Sequence, residues 1–298
     1  MAPYVFRQVA ATLLACFAWA GVDGAWADDA VARGEYLLRA SGGCACHTVS
    51  RAAGFLAGGR ALETPFGVFY SPNITPDPET GIGGWSESDF TNAMTKGVGP
   101  DGSHYFPAFP YTSFTAMTAA DLADLKAYLD SVRPVRRANL PHDLTPPFGW
   151  RFMVGLWKAM YFEPGPFQAD PDQTETWNRG AYLANAVAHC GECHTPRDGL
   201  GGTDPEKWYA GTADGPDGRR VPNITPHGAT GIGDWSVADI AGLLRTGYQP
   251  DFDNVQGAME EAIEQGYKYL SADDLAAIAE YVASLPAIDN ALPAKKAE

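Results

Sequence analysis

Basic side chains are scarce in this chain of 298 residues: 21 Lys and Arg stand against 36 Asp and Glu, a formal net charge of −15 at pH 7. So acidic a chain has little to offer a phosphate backbone, which sets nucleic-acid binding aside and favours a protein partner with a basic docking patch. Charged residues of both signs reach only 19%, against 45% hydrophobic, so the chain is neither a disordered tail nor a low-complexity polymer. Long hydrophobic runs are missing too: the apolar stretch Val9 to Ala20 falls short of the ~20 residues a spanning helix needs. There is no Ser-His-Asp set, no paired-carboxylate constellation and no phosphate-cradling loop with the expected flanks. With 5 Cys and 6 His, any thiol or imidazole chemistry is confined to a few places. What is abundant is Gly (33) and Pro (23), which point to long structured loops between modest helices and away from a helical bundle or a TIM barrel. The length allows one or two domains with proper cores.

Residues 1–27 read as an export signal. Arg7 supplies the positive start, Val9 to Ala20 the apolar stretch, and Ala25-Trp26-Ala27 a small-residue cleavage site. Cleavage there leaves the net charge unchanged, because Arg7 and Asp23 cancel, and predicts a periplasmic protein with no membrane span. It also removes Cys16. The remaining cysteines form two tight pairs, Cys44/Cys46 and Cys190/Cys193, each directly before a histidine.

The chain repeats itself. Ser71-Pro72-Asn73-Ile74-Thr75-Pro76 returns as Val221-Pro222-Asn223-Ile224-Thr225-Pro226, and Thr80-Gly81-Ile82-Gly83-Gly84-Trp85-Ser86 as Thr230-Gly231-Ile232-Gly233-Asp234-Trp235-Ser236, both 150 residues on. Arg33-Gly34-Glu35-Tyr36-Leu37 returns as Arg179-Gly180-Ala181-Tyr182-Leu183, and His47 as His194, at offsets of 146 and 147. The order of features is the same in each copy, so two copies of one domain are expected; the period is far too long for a solenoid. Each copy predicts a helix running into the Cys–His motif, a Gly/Pro-rich loop, a short helix after Trp-Ser, and a last helix capped by Thr118 or Ser271. The expected division is 1–27 signal peptide, 28–135 first domain, 136–176 structured linker, 177–288 second domain and 289–298 tail. The linker's aromatic stretch, Phe148 to Trp157, is read as packing across both domains.

Cys190-Gly191-Glu192-Cys193-His194 is C-x-x-C-H, the signature of covalent c-type heme attachment. Two thiols add to the porphyrin's two vinyl groups, and the next histidine reaches the iron. A redox C-x-x-C does not need His194, and a zinc site would want further ligands that do not follow. The first motif departs from this spacing. In Gly42-Gly43-Cys44-Ala45-Cys46-His47, Gly43 stands at the first-cysteine position and Cys44 lies one residue late. Two strained thioethers, one thioether through Cys46, or a Cys44–Cys46 disulfide without heme are the options, and the repeat favours heme. A thioether sulfur as the second axial ligand raises a heme's potential. Met259, in Gly257-Ala258-Met259 ahead of the last helix, is the candidate for the second copy, with a core methionine as the bland alternative. In the first copy Phe109 sits where such a methionine would be convenient; Met117 is the chosen candidate, equally readable as a hydrophobic staple, and His104 a further option. If no ligand reaches that iron, the heme would be five-coordinate and open to small molecules. Trp85 and Trp235 read as core residues that could also donate to heme propionates, and the Asn-Ile-Thr sequons as a shared loop conformation. His142, His189 and His227 read as structural or exposed.

Trp177-Asn178-Arg179-Gly180-Ala181-Tyr182-Leu183, His189 through Arg197, the two Asn-Ile-Thr-Pro segments and Pro107-Ala108-Phe109-Pro110-Tyr111 together resemble bacterial multiheme cytochromes c, specifically the cytochrome c subunits of membrane-bound alcohol and gluconate dehydrogenases. The resemblance implies a mainly α fold of two tandem class I cytochrome c domains holding two copies of heme c. It implies Cys190 and Cys193 as thioether donors, His47 and His194 as proximal ligands and Met259 as a distal one, while Cys44 and Cys46 are the attachment candidates read from the irregular motif of the first copy. Many relatives read Pro-Ala-Met-Pro-Tyr where this chain has Phe109, and usually carry a third heme domain and a C-terminal anchor. The implied role is electron transfer from a flavin or quinone-cofactor dehydrogenase to a downstream cytochrome, oxidase or quinone-linked acceptor, without bond-breaking chemistry. A diheme redox enzyme, such as a peroxidase or sulfur-compound dehydrogenase using an unusually ligated first heme, is the alternative.

Overall fold

The structure is a computed structural model that describes residues 22–293. Most of the expected signal sequence and the end of the tail lie outside the described residues, and positions 22–27 continue into the first helix. In chain order the elements are α1 (Val22–Ala40), a 3-10 turn (Gly42–His47), β1 (Ala61–Thr64), β2 (Gly67–Tyr70), α2 (Glu87–Lys96), α3 (Tyr111–Phe114) and α4 (Ala119–Ser131). Then come β3 (Asp143–Leu144), α5 (Arg151–Tyr161), α6 (Glu175–Tyr182), α7 (Cys190–His194), α8 (Val237–Thr246), α9 (Ala258–Gln265) and α10 (Ala272–Ala283). The fold is mainly helical. Its one small sheet is antiparallel in the order β1-β2-β3, with Ala61 opposite Tyr70 and Val68 opposite Asp143.

Local chemistry sets the helix ends. Ser86 and Ser236 open α2 and α8 with capping boxes: each hydroxyl accepts from the amide of Asp89 or Asp239, whose carboxylate accepts from the serine amide in return. Thr118 and Ser271 cap α4 and α10 in the same way, accepting from Asp121 and Asp274. These caps stand where the sequence predicts them.

Tertiary packing then pairs the first and last helix of each half. α1 crosses α4 at Gly34 and α6 crosses α10 at Gly180, and the backbones come so close that a Cβ would lie 2.0 Å from the Asp124 carbonyl oxygen in the first crossing and 1.9 Å from that of Ala277 in the second. Arg33–Asp124 (2.5 Å) and Arg179–Asp274 (2.8 Å) pair alongside. The halves are also cross-linked reciprocally. Tyr36 donates to Asp274 (2.6 Å) and accepts from the Ser271 amide (3.1 Å), while Tyr182 donates to Asp121 and accepts from the Thr118 amide (3.2 Å). Each tyrosine thus finishes the N-terminus of the other half's last helix, where free N–H groups need acceptors. One hydrophobic core runs beneath, with Leu38, Leu56, Leu122, Leu183, Leu275 and Ile278; a buried side chain of this size contributes roughly 2 kcal/mol.

The linker helix α5 touches both halves. Lys158 donates to the carbonyls of Lys96 (2.6 Å) and Gly97 (2.8 Å), and the Trp157 indole donates to that of Leu200 (3.0 Å). Val154 packs with Phe69 and Phe106 in a small separate core. The outer face is not covered: Phe152 is 71% and Leu156 64% exposed. A helix lying on the surface buries one stripe only, so the aromatic stretch is not wholly interior.

Candidate functional site

Two histidines end equivalent turns. His47 closes the 3-10 turn after α1 and His194 ends α7. Their Nδ1 atoms lie 2.8 Å from the Pro72 carbonyl oxygen and 2.9 Å from that of Pro222. A carbonyl oxygen only accepts, so Nδ1 carries the proton and the Nε2 lone pair is left for a metal. Burial pushes both imidazoles below their ordinary pKa, so they are neutral at pH 7, as a ligand must be.

The repeated Asn-Ile-Thr segments place those carbonyls. Asn73 and Asn223 are buried, and each side-chain carbonyl accepts the amide and hydroxyl of the threonine two residues on. Their amides donate to Val135 (2.7 Å) and Ile288 (2.8 Å), tying the site loop to the chain leaving the last helix. The asparagine amides are committed inside the protein, which agrees with a conformational role and not with a glycan.

The thiols sit beside the histidines. Cys44 and Cys190 pack partly buried against the core, Cys193 is half-buried and Cys46 exposed. Burial raises the Cys190 thiol to about 12 and those of Cys44 and Cys193 to about 11. The first motif is displaced for a visible reason. Gly43 has φ +72°, and a Cβ there would lie 2.5 Å from the backbone oxygen of Gln265 in α9. A cysteine at the regular position would collide with the other half. The thiol comes from Cys44 instead, itself held at φ +50°.

The motifs meet at the junction of the halves. α9 packs on the turn 42–47. From the first half, Thr112 (2.6 Å) and Ser113 (3.0 Å) donate to Glu192, the residue between the second pair of thiols, which Arg197 also pairs. Burial alone would raise the Glu192 pKa; Arg197 and Thr112 hold it below the ordinary range. Nothing local marks Glu192 as a link between the halves, because Thr112 and Ser113 lie 80 and 79 residues away.

The distal candidates separate. The turn bridged by Val98 and His104 has the same backbone pairing as that bridged by Tyr248 and Asn254, down to Tyr105 N–Gly97 O (2.8 Å) and Val255 N–Gly247 O (2.9 Å). Counting on from each turn, Phe109 stands where the second half has Met259. Met259 lies in the first turn of α9, a helix beyond those the sequence pattern predicts for each copy, and packs half-buried against the core. Met117 is 4% exposed and precedes the Thr118 cap, the place Leu270 holds before Ser271. His104 is engaged by the linker helix, its Nδ1 3.0 Å from Lys158 Nζ. Trp85 and Trp235 pack half-buried against the core.

Neutral, Nδ1-anchored imidazoles directly after paired thiols fit heme c and do not resemble a bare-ion cage; no group of three or more His, Cys, Asp or Glu side chains forms one among the described residues. The cytochrome c family model matches residues 178–286. The chain is 43% identical over 262 residues to a diheme cytochrome c-type protein of Cereibacter sphaeroides, covering 86% of each. It is 40% identical over 259 residues to the fructose dehydrogenase cytochrome subunit of Gluconobacter japonicus, covering 86% of this chain and 53% of that protein. With the gluconate 2-dehydrogenase cytochrome c subunit of Pantoea cypripedii it shares 35% over 294 residues, 96% of this chain and 66% of the subunit. The chain thus spans about half to two-thirds of these two dehydrogenase subunits and most of the diheme protein. By sequence and by site, the chain belongs to the bacterial cytochrome c family that includes the cytochrome c subunits of dehydrogenases.

Proposed function

We propose that this protein is a periplasmic diheme electron carrier, exported by residues 1–27, that passes electrons from a dehydrogenase to a respiratory-chain acceptor. Residues 28–135 and 177–288 act as two cytochrome c domains joined by the linker 136–176. The observation that carries this reading is the duplicated histidine: the same Nδ1-to-proline-carbonyl bond leaves Nε2 free in both halves. Heme c, when held, supplies a one-electron iron couple. Cys190 and Cys193 hold it in the second domain and Cys46, with Cys44, in the first. His47 and His194 would offer Nε2 to the iron, and Met259 would offer its thioether in the second domain.

The chain's own residues do the rest. Pro72 and Pro222 orient the imidazoles, the buried core lowers the local dielectric, and α9 and Glu192 bring the two motifs together at one junction, so that an electron need not leave the protein to change sites. The net charge of −15 steers a basic partner surface and makes association salt-dependent. Relatives that are dehydrogenase subunits support a dehydrogenase as donor. Among the described residues no helix is long and apolar enough to cross a membrane, so attachment through a partner subunit fits this chain.

The test is the intact mass of the exported protein with its pyridine hemochrome spectrum. Two covalent hemes on a chain beginning at Asp28 are expected, with reduction by a purified dehydrogenase that weakens as salt rises. A single heme would leave a one-center carrier with a docking domain, and an apo chain would end the reading.

A further inference from the structure

We propose that Phe109 leaves the first heme without a thioether ligand, so that the N-terminal half binds a small neutral diatomic molecule at a face that Met259 closes in the C-terminal half. This rests on the diheme reading above and goes beyond electron transfer. The equivalence of the two positions is set by backbone pairing, not by sequence likeness: the turns at 97–105 and 247–255 share their bridges and hydrogen bonds, and Phe109 and Met259 follow at the same distance. A phenyl ring has no lone pair to offer a metal.

The other described methionines before residue 177, and His104, are placed for other work. Met94 is buried on α2 where α8 carries Leu244, and Met117 is buried where the second half has Leu270. Both methionines therefore fill leucine positions of the core, the commoner use of a flexible apolar side chain. His104 is held by Lys158 at 3.0 Å and faces Gly155 of α5. Met153 and Met160 lie on α5, 37% and 60% exposed.

The surroundings select the ligand class. Phe109 is ringed by Tyr105, Phe114 and Tyr111, with centroids at 5.9, 5.8 and 6.2 Å. An apolar wall penalises a charged ligand, which would have to shed its water, and admits a neutral diatomic such as carbon monoxide or nitric oxide. The Tyr111 hydroxyl, fully buried in this ring cluster, has no hydrogen-bond partner, so the cluster also contains one polar group whose hydrogen bonding is unmet.

The experiment titrates the dithionite-reduced holoprotein with carbon monoxide after its hemes have been counted, and records the spin state of the oxidised form. One carbon monoxide per two hemes, with half of the iron high-spin, is expected. Phe109→Met should abolish binding and turn the second half of the iron low-spin, while Met117→Leu should leave the stoichiometry at one. Two covalent hemes that are both low-spin and inert to carbon monoxide would overturn this inference and leave the diheme carrier intact. So would binding that appears only in Met117→Leu. A single heme per chain would overturn both. The wild-type spectra decide the matter even if Phe109→Met does not fold.

Discussion

The two halves share their scaffold and differ at their sites. Capping boxes, helix crossings, buried asparagines and histidine anchors recur with hydrogen bonds alike to within about 0.1–0.2 Å. The thiol spacing and the distal residue do not recur: Gly43 and Cys44 replace the regular first cysteine, and Phe109 stands in place of Met259. Two halves built on one pattern keep what the fold needs twice. Where the copies diverge, either the contact between them or a separate chemistry has intervened, and the structure distinguishes the two cases. Position 43 is dictated by contact with Gln265, whereas Phe109 makes no contact with the other half that a methionine at that point is shown to forbid.

The largest expected effect tests the shared scaffold. Gly34→Ala and Gly180→Ala each put a methyl about 2 Å from a backbone oxygen, so the helices must separate. Losses of about 3 kcal/mol or more are expected from both. Chemical denaturation reads this directly, and a harmless substitution in either half would break the equivalence of the crossings.

Next is the divergent motif. Gly43→Cys combined with Cys44→Ala restores C-x-x-C-H on paper. It forces a side chain into a left-handed backbone, at about 1–2 kcal/mol, and into Gln265 as well. A loss of about 3 kcal/mol and a lower yield of doubly attached heme are expected. If the variant gains heme at unchanged stability, contact between the halves is not what displaced the cysteine.

Smaller effects come from the reciprocal tyrosines. Tyr36→Phe and Tyr182→Phe each remove a hydroxyl that donates to a carboxylate and accepts a helix-end amide. Each should cost about 2 kcal/mol, and the two costs should agree within about 1 kcal/mol. A tyrosine whose loss costs nothing would show that the junction is held from one side.

Much of this was legible in the sequence, and the limits have a physical cause. Ser86, Ser236, Thr118 and Ser271 act through amides three residues on, so local pattern reveals them. The paired thiols, His47 and His194 stand at short, fixed spacing, so they too are visible in the local sequence. What stayed hidden depends on distant partners: Tyr36 with Asp274, Glu192 with Thr112, Gly43 against Gln265. Helix α9 has no side-chain cap, since Gly257 stands at its N-terminus, and its packing on the first motif comes from nearly the other end of the chain. The exposed outer face of α5 escaped for the converse reason, since an apolar stretch in sequence does not say which stripe is covered.

The smallest effect separates the halves by acid. Asp89 and Asp239, held by their serine partners, lie below the ordinary carboxylate pKa in both capping boxes and so contribute to each half alike. Asp274 is different: burial alone would raise it, but Arg179 and Tyr36 hold it below the ordinary value, and the cross-link it makes belongs to both halves. A carboxylate depressed on folding adds stability that is complete above its unfolded pKa, about 3.9, and is lost as pH falls through the folded value. Stability should therefore be flat from about pH 7 to 5 on account of this group and decline below about pH 4. Asp274→Asn should lower the plateau and flatten the acid limb, because the variant has no proton to take up there. Thermal unfolding between those limits checks it: an acid limb equally steep in the variant would mean that the Arg179–Asp274–Tyr36 link is already open in solution, and that the two halves are joined by their apolar core, by Tyr182 and by the contacts of Glu192 and α9.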